Sequence, residues 1–131
     1  MKNAFMLLLV LISFSSCSNS NDDSIKQMLE VNKSYEGDFV SSAHPTSGKA
    51  LVNIENTTLS FTNFKTDNGP VLEVYLATDT SASKYVSLGA LKGLDGNYEY
   101  TLPKNIDFSV YNHVIIWCVD FKVNFGFAIL K

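Results

Sequence analysis

Arginine is absent from this 131-residue chain, and all ten basic residues are lysine. The planar guanidinium fork that reads phosphate and guanine bidentately is therefore missing. There is no basic run, and the formal charge is −3. A nucleic-acid partner is not expected. Histidine and cysteine are scarce, at two each. A structural zinc site wants clustered Cys and His, whereas His44 and His113 stand far apart with no ligand spacing. A blue-copper site needs Cys, two His and commonly Met from neighbouring loops, yet no His or Met follows Cys118. His44, His113 or Met28 could be imagined as an axial haem ligand, but there is no Cys-x-x-Cys-His attachment motif. No cofactor or metal is expected on these grounds. The Gly-x-Ser-x-Gly nucleophile elbow is also lacking. The acids are scattered rather than paired as a glycosidase would need. The sequence thus offers no self-contained catalytic constellation.

What is present is apolar and aromatic. The hydrophobic fraction is 46%, with nine Phe and six Tyr. That suffices for a core and, with many Val, Ile and Thr, favours strands over helices. The length allows one domain and argues against two.

The N-terminus reads as an address. Lys2 precedes an apolar run from Ala4 to Phe14, which as a helix would cover about 16 Å, half of a bilayer core. That is too short to span and suits a signal-peptide core. Ser15 and Ser16 lead to Cys17, a pattern that resembles a bacterial lipobox, in which the cysteine is acylated after cleavage just before it. Phe14 departs from that pattern, which prefers Leu, Val or Ile there, and leaves ordinary signal-peptidase cleavage as the alternative. The organisation expected is a signal peptide over residues 1–16, a lipidated Cys17 and tether over 17–34, and one domain over 35–131. The tether includes the polar, acidic Ser18 to Asp23 and then Ile25, Met28 and Leu29, whose spacing after Asp23-Ser24 suggests a short helix. The expected location is the cell envelope, with the chain lipid-anchored to the outer or periplasmic side of a membrane. With Cys17 acylated, Cys118 is left without an internal disulfide partner.

From Tyr35 onward the period is two. Candidate strands are Phe39 to Ser42, Leu51 to Glu55, Leu59 to Asn63, Val71 to Thr78, Tyr85 to Leu88, Tyr98 to Leu102, His113 to Phe121 and Phe125 to Leu130. Leu59, Phe61 and Asn63 should share one face. His113 to Phe121 is apolar on both faces, as in a central strand. Turn-rich stretches separate the runs at Asp67 to Pro70, Leu94 to Asn97 and Pro103 to Asn105. Asp95-Gly96 carries a hairpin signature. The fold class expected is all-β, a single antiparallel β-sandwich or small barrel of about seven to eight strands.

Tyr35, Tyr75, Tyr85, Tyr98 and Tyr111 could stack on sugars if exposed, although packing on a sheet face is the commoner use. Cys118 is the remaining thiol. By alternation it shares a face with Ile116 and Asp120, and Trp117 shares the other with Ile115 and Val119. A free cysteine in an apolar strand is usually an inert core residue, and no Lys or Arg adjoins this one to activate it.

Many weak elements in order carry a resemblance over about residues 35 to 131. They are Gly37, Phe39 and Gly48-Lys49-Ala50 after His44; Leu59 with Phe61 to Phe64; Asn68-Gly69-Pro70 with Val74-Tyr75-Leu76; Leu88-Gly89 with Leu91-Lys92-Gly93; Gly96-Asn97 with Tyr98, Tyr100 and Leu102-Pro103; and Tyr111, Val114 to Cys118, Phe125-Gly126, Ala128 and Leu130. In these the chain resembles the DM-thirteen domain, an electron-transfer domain of bacterial lipoproteins and animal Skeletor-type proteins. The resemblance implies an all-β domain whose characteristic cysteine, matched by Cys118, is redox-active. The family often sits beside haem-binding or cytochrome-type domains, so a separate redox or haem protein partner is implied here. Two functions follow as expectations: a membrane-tethered electron-transfer or thiol-redox accessory domain centred on Cys118, and a non-catalytic envelope binding or adhesion module with Cys118 as core.

Overall fold

The computed structural model describes residues 33–131. The signal peptide, Cys17 and the short helix expected in the tether lie outside the described residues. Eight strands run as β1 (Tyr35–Ser41), β2 (Thr46–Val52), β3 (Thr58–Thr66), β4 (Leu72–Ala77), β5 (Tyr85–Ala90), β6 (Asp95–Thr101), β7 (His113–Cys118) and β8 (Val123–Ile129). Every pairing is antiparallel, in the order β5-β4-β7-β8-β1-β2-β3-β6. The sheet curls into a nearly closed barrel, and there is no α-helix among the described residues. The all-β reading therefore holds.

One strand bends the sheet round. β1 pairs with β2 through Tyr35 to Asp38 and with β8 through Phe39 to Ser41. The turn is tight because Gly126 of β8 faces the Thr46 side chain at the start of β2, where an added Cβ would collide with it. Thr46 Oγ1 meets Thr66 Oγ1 at 3.0 Å and donates to the Phe125 carbonyl at 3.3 Å. Those bonds satisfy a buried hydroxyl that would otherwise destabilise the core.

The core is one cluster in which aromatic and aliphatic side chains are mixed. Phe39, Phe61 and Phe64 meet edge-on or tilted, with centroids 4.9 to 5.1 Å apart, a favoured geometry. Phe61 and Phe64 both point inward because β3 is bulged between them. Asn63 takes a left-handed φ of 49°, and its amide donates to Asn97 Oδ1 at 2.8 Å. Opposite, Gly48 adopts φ 110°, and its Cα side lies against the Phe64 backbone where a side chain would not fit. The face expected for Leu59, Phe61 and Asn63 is thus corrected: the extra residue turns Asn63 outward and brings Phe64 in.

Several boundaries and one turn differ from the sequence reading; β1, β2 and β6 begin at Tyr35, Thr46 and Asp95, earlier than expected. β2 ends at Val52, and Asn53 to Asn56 form a turn in which the Asn53 carboxamide accepts from the Thr57 and Thr58 amides. β7 ends at Cys118 rather than at Phe121. Asp95-Gly96 does not close a hairpin. It lies inside β6, paired with Lys65 and Phe64 of β3, because β5 and β6 sit at opposite edges of the sheet. The connection between those edges is residues 91–94, tied down by Leu91 N donating to Leu72 O and Thr66 N donating to Leu94 O.

Candidate functional site

Cys118 closes β7, with Leu72 of β4 and Val123 of β8 as its register partners. Strand alternation turns it inward with Val114 and Ile116, and it is 0% exposed. Leu72 and Phe125 belong to the same core cluster, and Gly69 backs onto both. Immediately beyond the thiol the chain leaves the sheet. Val119 N donates to Val71 O at 2.9 Å, and the turn through Lys122, with φ 52°, leads into β8. Asp120 is exposed on this turn, and Phe121 at its tip is 72% exposed. The face shared with Ile116 is borne out. Asp120 no longer shares it, since the strand has ended. A shallow groove lies alongside, lined by Asn68, Pro70, Val71, Leu72, Ala90 and Leu91. Leu72 belongs both to that groove and to the pair with Cys118.

The opposite face of β7 carries a second apolar cluster. Ile115, Tyr75 and Ala77 are buried there, with Trp117, Phe127 and Ala82 packed on them. The cover is the loop between β4 and β5. Asp79 stiffens it by accepting from the Ser81 and Ser83 amides at 2.9 and 3.2 Å, and Asn124 Nδ2 holds the Thr80 carbonyl at 2.9 Å. Within this cluster Tyr75 stacks on Tyr85 at 4.1 Å and 10°, and on Trp117 at 6.0 Å and 22°. Burial, the Glu73 carboxylate and Tyr85 together push the Tyr75 hydroxyl far above the ordinary phenol value, so it stays protonated.

The histidines remain apart. His44 sits before β2, its Nδ1 3.0 Å from Asp67 Oδ2 and its ring 3.9 Å from that of Phe125. His113 opens β7, and its Nδ1 is buried with no hydrogen-bond partner. Among the described residues no three His, Cys, Asp or Glu side chains gather as a metal would require. Of the five tyrosines considered for sugar stacking, Tyr75 is buried, Tyr35, Tyr98 and Tyr111 are half-buried, and Tyr85 has one face against Tyr75. Of the five, Tyr85 alone is exposed, at 51%. Sequence reasoning missed two features: the Asp67 partner of His44 and the Tyr85–Tyr75–Trp117 stack. Only the strand register brings the members of each together.

The fold is an all-β barrel with a buried thiol at the end of an interior strand. The chain belongs to the Electron transfer DM13 family, whose model matches residues 38–130. No curated protein and no solved structure matches the chain.

Proposed function

We propose that this protein is an envelope lipoprotein, anchored through Cys17, whose domain transfers electrons with Cys118 as the redox residue. The family match over residues 38–130 carries the electron-transfer part. Cys118 is favoured as the centre because it supplies the only sulfur between residues 33 and 131 and lies on a strand flanked on both sides. Its burial bears on the form the chemistry takes. Peroxide or a partner thiolate must touch the sulfur to make a sulfenic acid or mixed disulfide. An electron can tunnel through the packed core, so outer-sphere transfer suits the closed fold. The partner on this reading is a separate redox or haem protein at the same membrane.

The same burial favours a second reading, in which Cys118 only fills the core of an envelope binding or adhesion module. Protein-film voltammetry separates the two. The electron-transfer reading expects a wave in the native protein that disappears in Cys118→Ala at unchanged circular dichroism. A wave that survives the substitution places the redox centre elsewhere, and no wave in either protein favours the binding module. The anchor is tested in a lipoprotein-processing bacterial host by labelling with an alkyne-tagged fatty acid. Label should appear on the native chain and be lost in Cys17→Ser, whereas label retained in that variant would refute the assignment.

A further inference from the structure

We propose that Asn68 is a modification site: the fold leaves its carboxamide open to attack by the Gly69 amide nitrogen, so that it deamidates spontaneously with water as the only co-reactant. The site does not depend on the redox or anchor readings above. Asn68-Gly69 is the single Asn-Gly step in the chain. Glycine matters there because a side chain on the following residue would crowd the nitrogen as it closes on the carboxamide. Every other asparagine among the described residues is followed by a residue with a side chain, as in Asn53-Ile54, Asn97-Tyr98 and Asn124-Phe125.

The fold adds what the dipeptide alone does not supply. Asn68 is exposed and lies between β3 and β4, outside the strand ladders. The Gly69 amide donates to Asn68 Oδ1 at 2.9 Å. Nucleophile and electrophile are therefore held side by side on an exposed loop, which makes their encounter intramolecular. Elsewhere the carboxamides are tied down. Asn53 Oδ1 accepts from the Thr57 and Thr58 amides at 2.8 and 3.0 Å, and Asn97 Oδ1 accepts from the Asn63 amide at 2.8 Å. Asn124 is buried, with Nδ2 donating to the Thr80 carbonyl at 2.9 Å.

The chemistry balances without any change of oxidation state. Hydroxide takes the Gly69 amide proton, and the nitrogen bonds to Asn68 Cγ while the carbonyl electron pair moves to Oδ1. The pair returns, the Cγ–Nδ2 bond breaks, and ammonia leaves with a proton from water, which restores the hydroxide. Water then opens the cyclic imide at either carbonyl, giving aspartate or its β-linked isomer. Either product places a new carboxylate next to Asp67, the partner of His44. In the β-linked isomer the main chain also gains a carbon just before Gly69. That glycine backs onto Leu72 and Phe125, and a Cβ there would already lie 3.0 Å from both side chains. The lengthened chain has no slack at this point, so the β-linked form should loosen two members of the core.

Peptide mapping by mass spectrometry of the full-length chain, incubated at mildly alkaline pH, tests the site. In the folded protein Asn68 should convert within a few-fold of its rate in urea, while Asn53, Asn97 and Asn124 keep their amides. The rate should rise with pH. Gly69→Ala should slow conversion by about an order of magnitude in both states, so the comparison in urea stands even where that variant folds poorly. Conversion of Asn68 an order of magnitude slower in the folded protein than in urea would overturn the site, because the fold would then shield it. Equal conversion at the other three asparagines would overturn the assignment to this loop. The β-linked form, separated by ion exchange and identified by isoaspartyl methylation, should unfold at a lower urea concentration than the native chain. An unchanged midpoint would refute the effect on the core, while the modification itself stands or falls on the mapping.

Discussion

Replacing Cys118 with alanine removes a sulfur from a fully buried position whose register partners are Leu72 and Val123. The loss of contacts and the small void should cost about 1–2 kcal/mol, read as a shift in the urea midpoint at constant slope. Phe64→Ala empties much more of the core, beside Phe39 and Phe61, and should cost about 3–5 kcal/mol by the same measurement. Asp67→Asn removes the partner of His44 at an exposed site, and less than about 1 kcal/mol should be lost. These residues were unequally legible. The inward direction of Cys118 follows from alternation within one strand. The His44–Asp67 pair spans 23 residues and has no local signal, because only the register of β2 against β3, which sets Thr46 opposite Thr66, brings the two side by side.

At the scale of an element, the closest packing is where β8 passes the start of β2. Gly126→Val would drive a branched side chain into Thr46 and break its hydroxyl network. We expect a loss of about 3 kcal/mol or more, since overpacking adds to an orphaned buried hydroxyl; thermal unfolding checks it. The turns carry a pH response. The Ser83 hydroxyl and amide hold Asp79 below the ordinary aspartate value, and the Ser109 hydroxyl and amide do the same for Asp107. A lowered folded value means that each carboxylate stabilises the fold above the unfolded value, about 3.9. That stability is lost as pH falls through the lowered folded values. Asp79→Asn with Asp107→Asn should therefore flatten the stability curve between about pH 4 and pH 2, and little else should change in that comparison. Strand positions were readable here from period-two patterning: β4 and β8 fall within two residues of where it put them, and β7 starts where expected but stops three residues early. The bulge at Asn63 and the misplaced hairpin at Asp95-Gly96 were not. A bulge depends on the partner strand, and Asp-Gly marks a tight turn only when the flanking strands pair with each other. β5 and β6 do not.

For the molecule as a whole, the sheet order makes β4, β7, β8, β1, β2 and β3 interior strands and leaves β5 and β6 as edges. Hydrogen exchange should be slowest at Val114 to Ile116 and slower across β8 than across β5, approaching the global unfolding rate only in the centre. The all-β class was legible from composition and turn spacing. The strand order was not, because each pairing is decided by long-range burial. β1 is hydrogen-bonded on both flanks, and at its start the Glu36 and Lys131 backbones exchange bonds of 3.0 and 3.3 Å. This has a mechanical meaning if the chain is tethered through Cys17. A pull from the membrane enters the domain along the axis of β1. It would load rows of hydrogen bonds on both flanks in shear rather than unzip them one at a time. The strand that folds the sheet over is then also the one that bears the load, and it keeps the barrel closed while the tether is drawn taut.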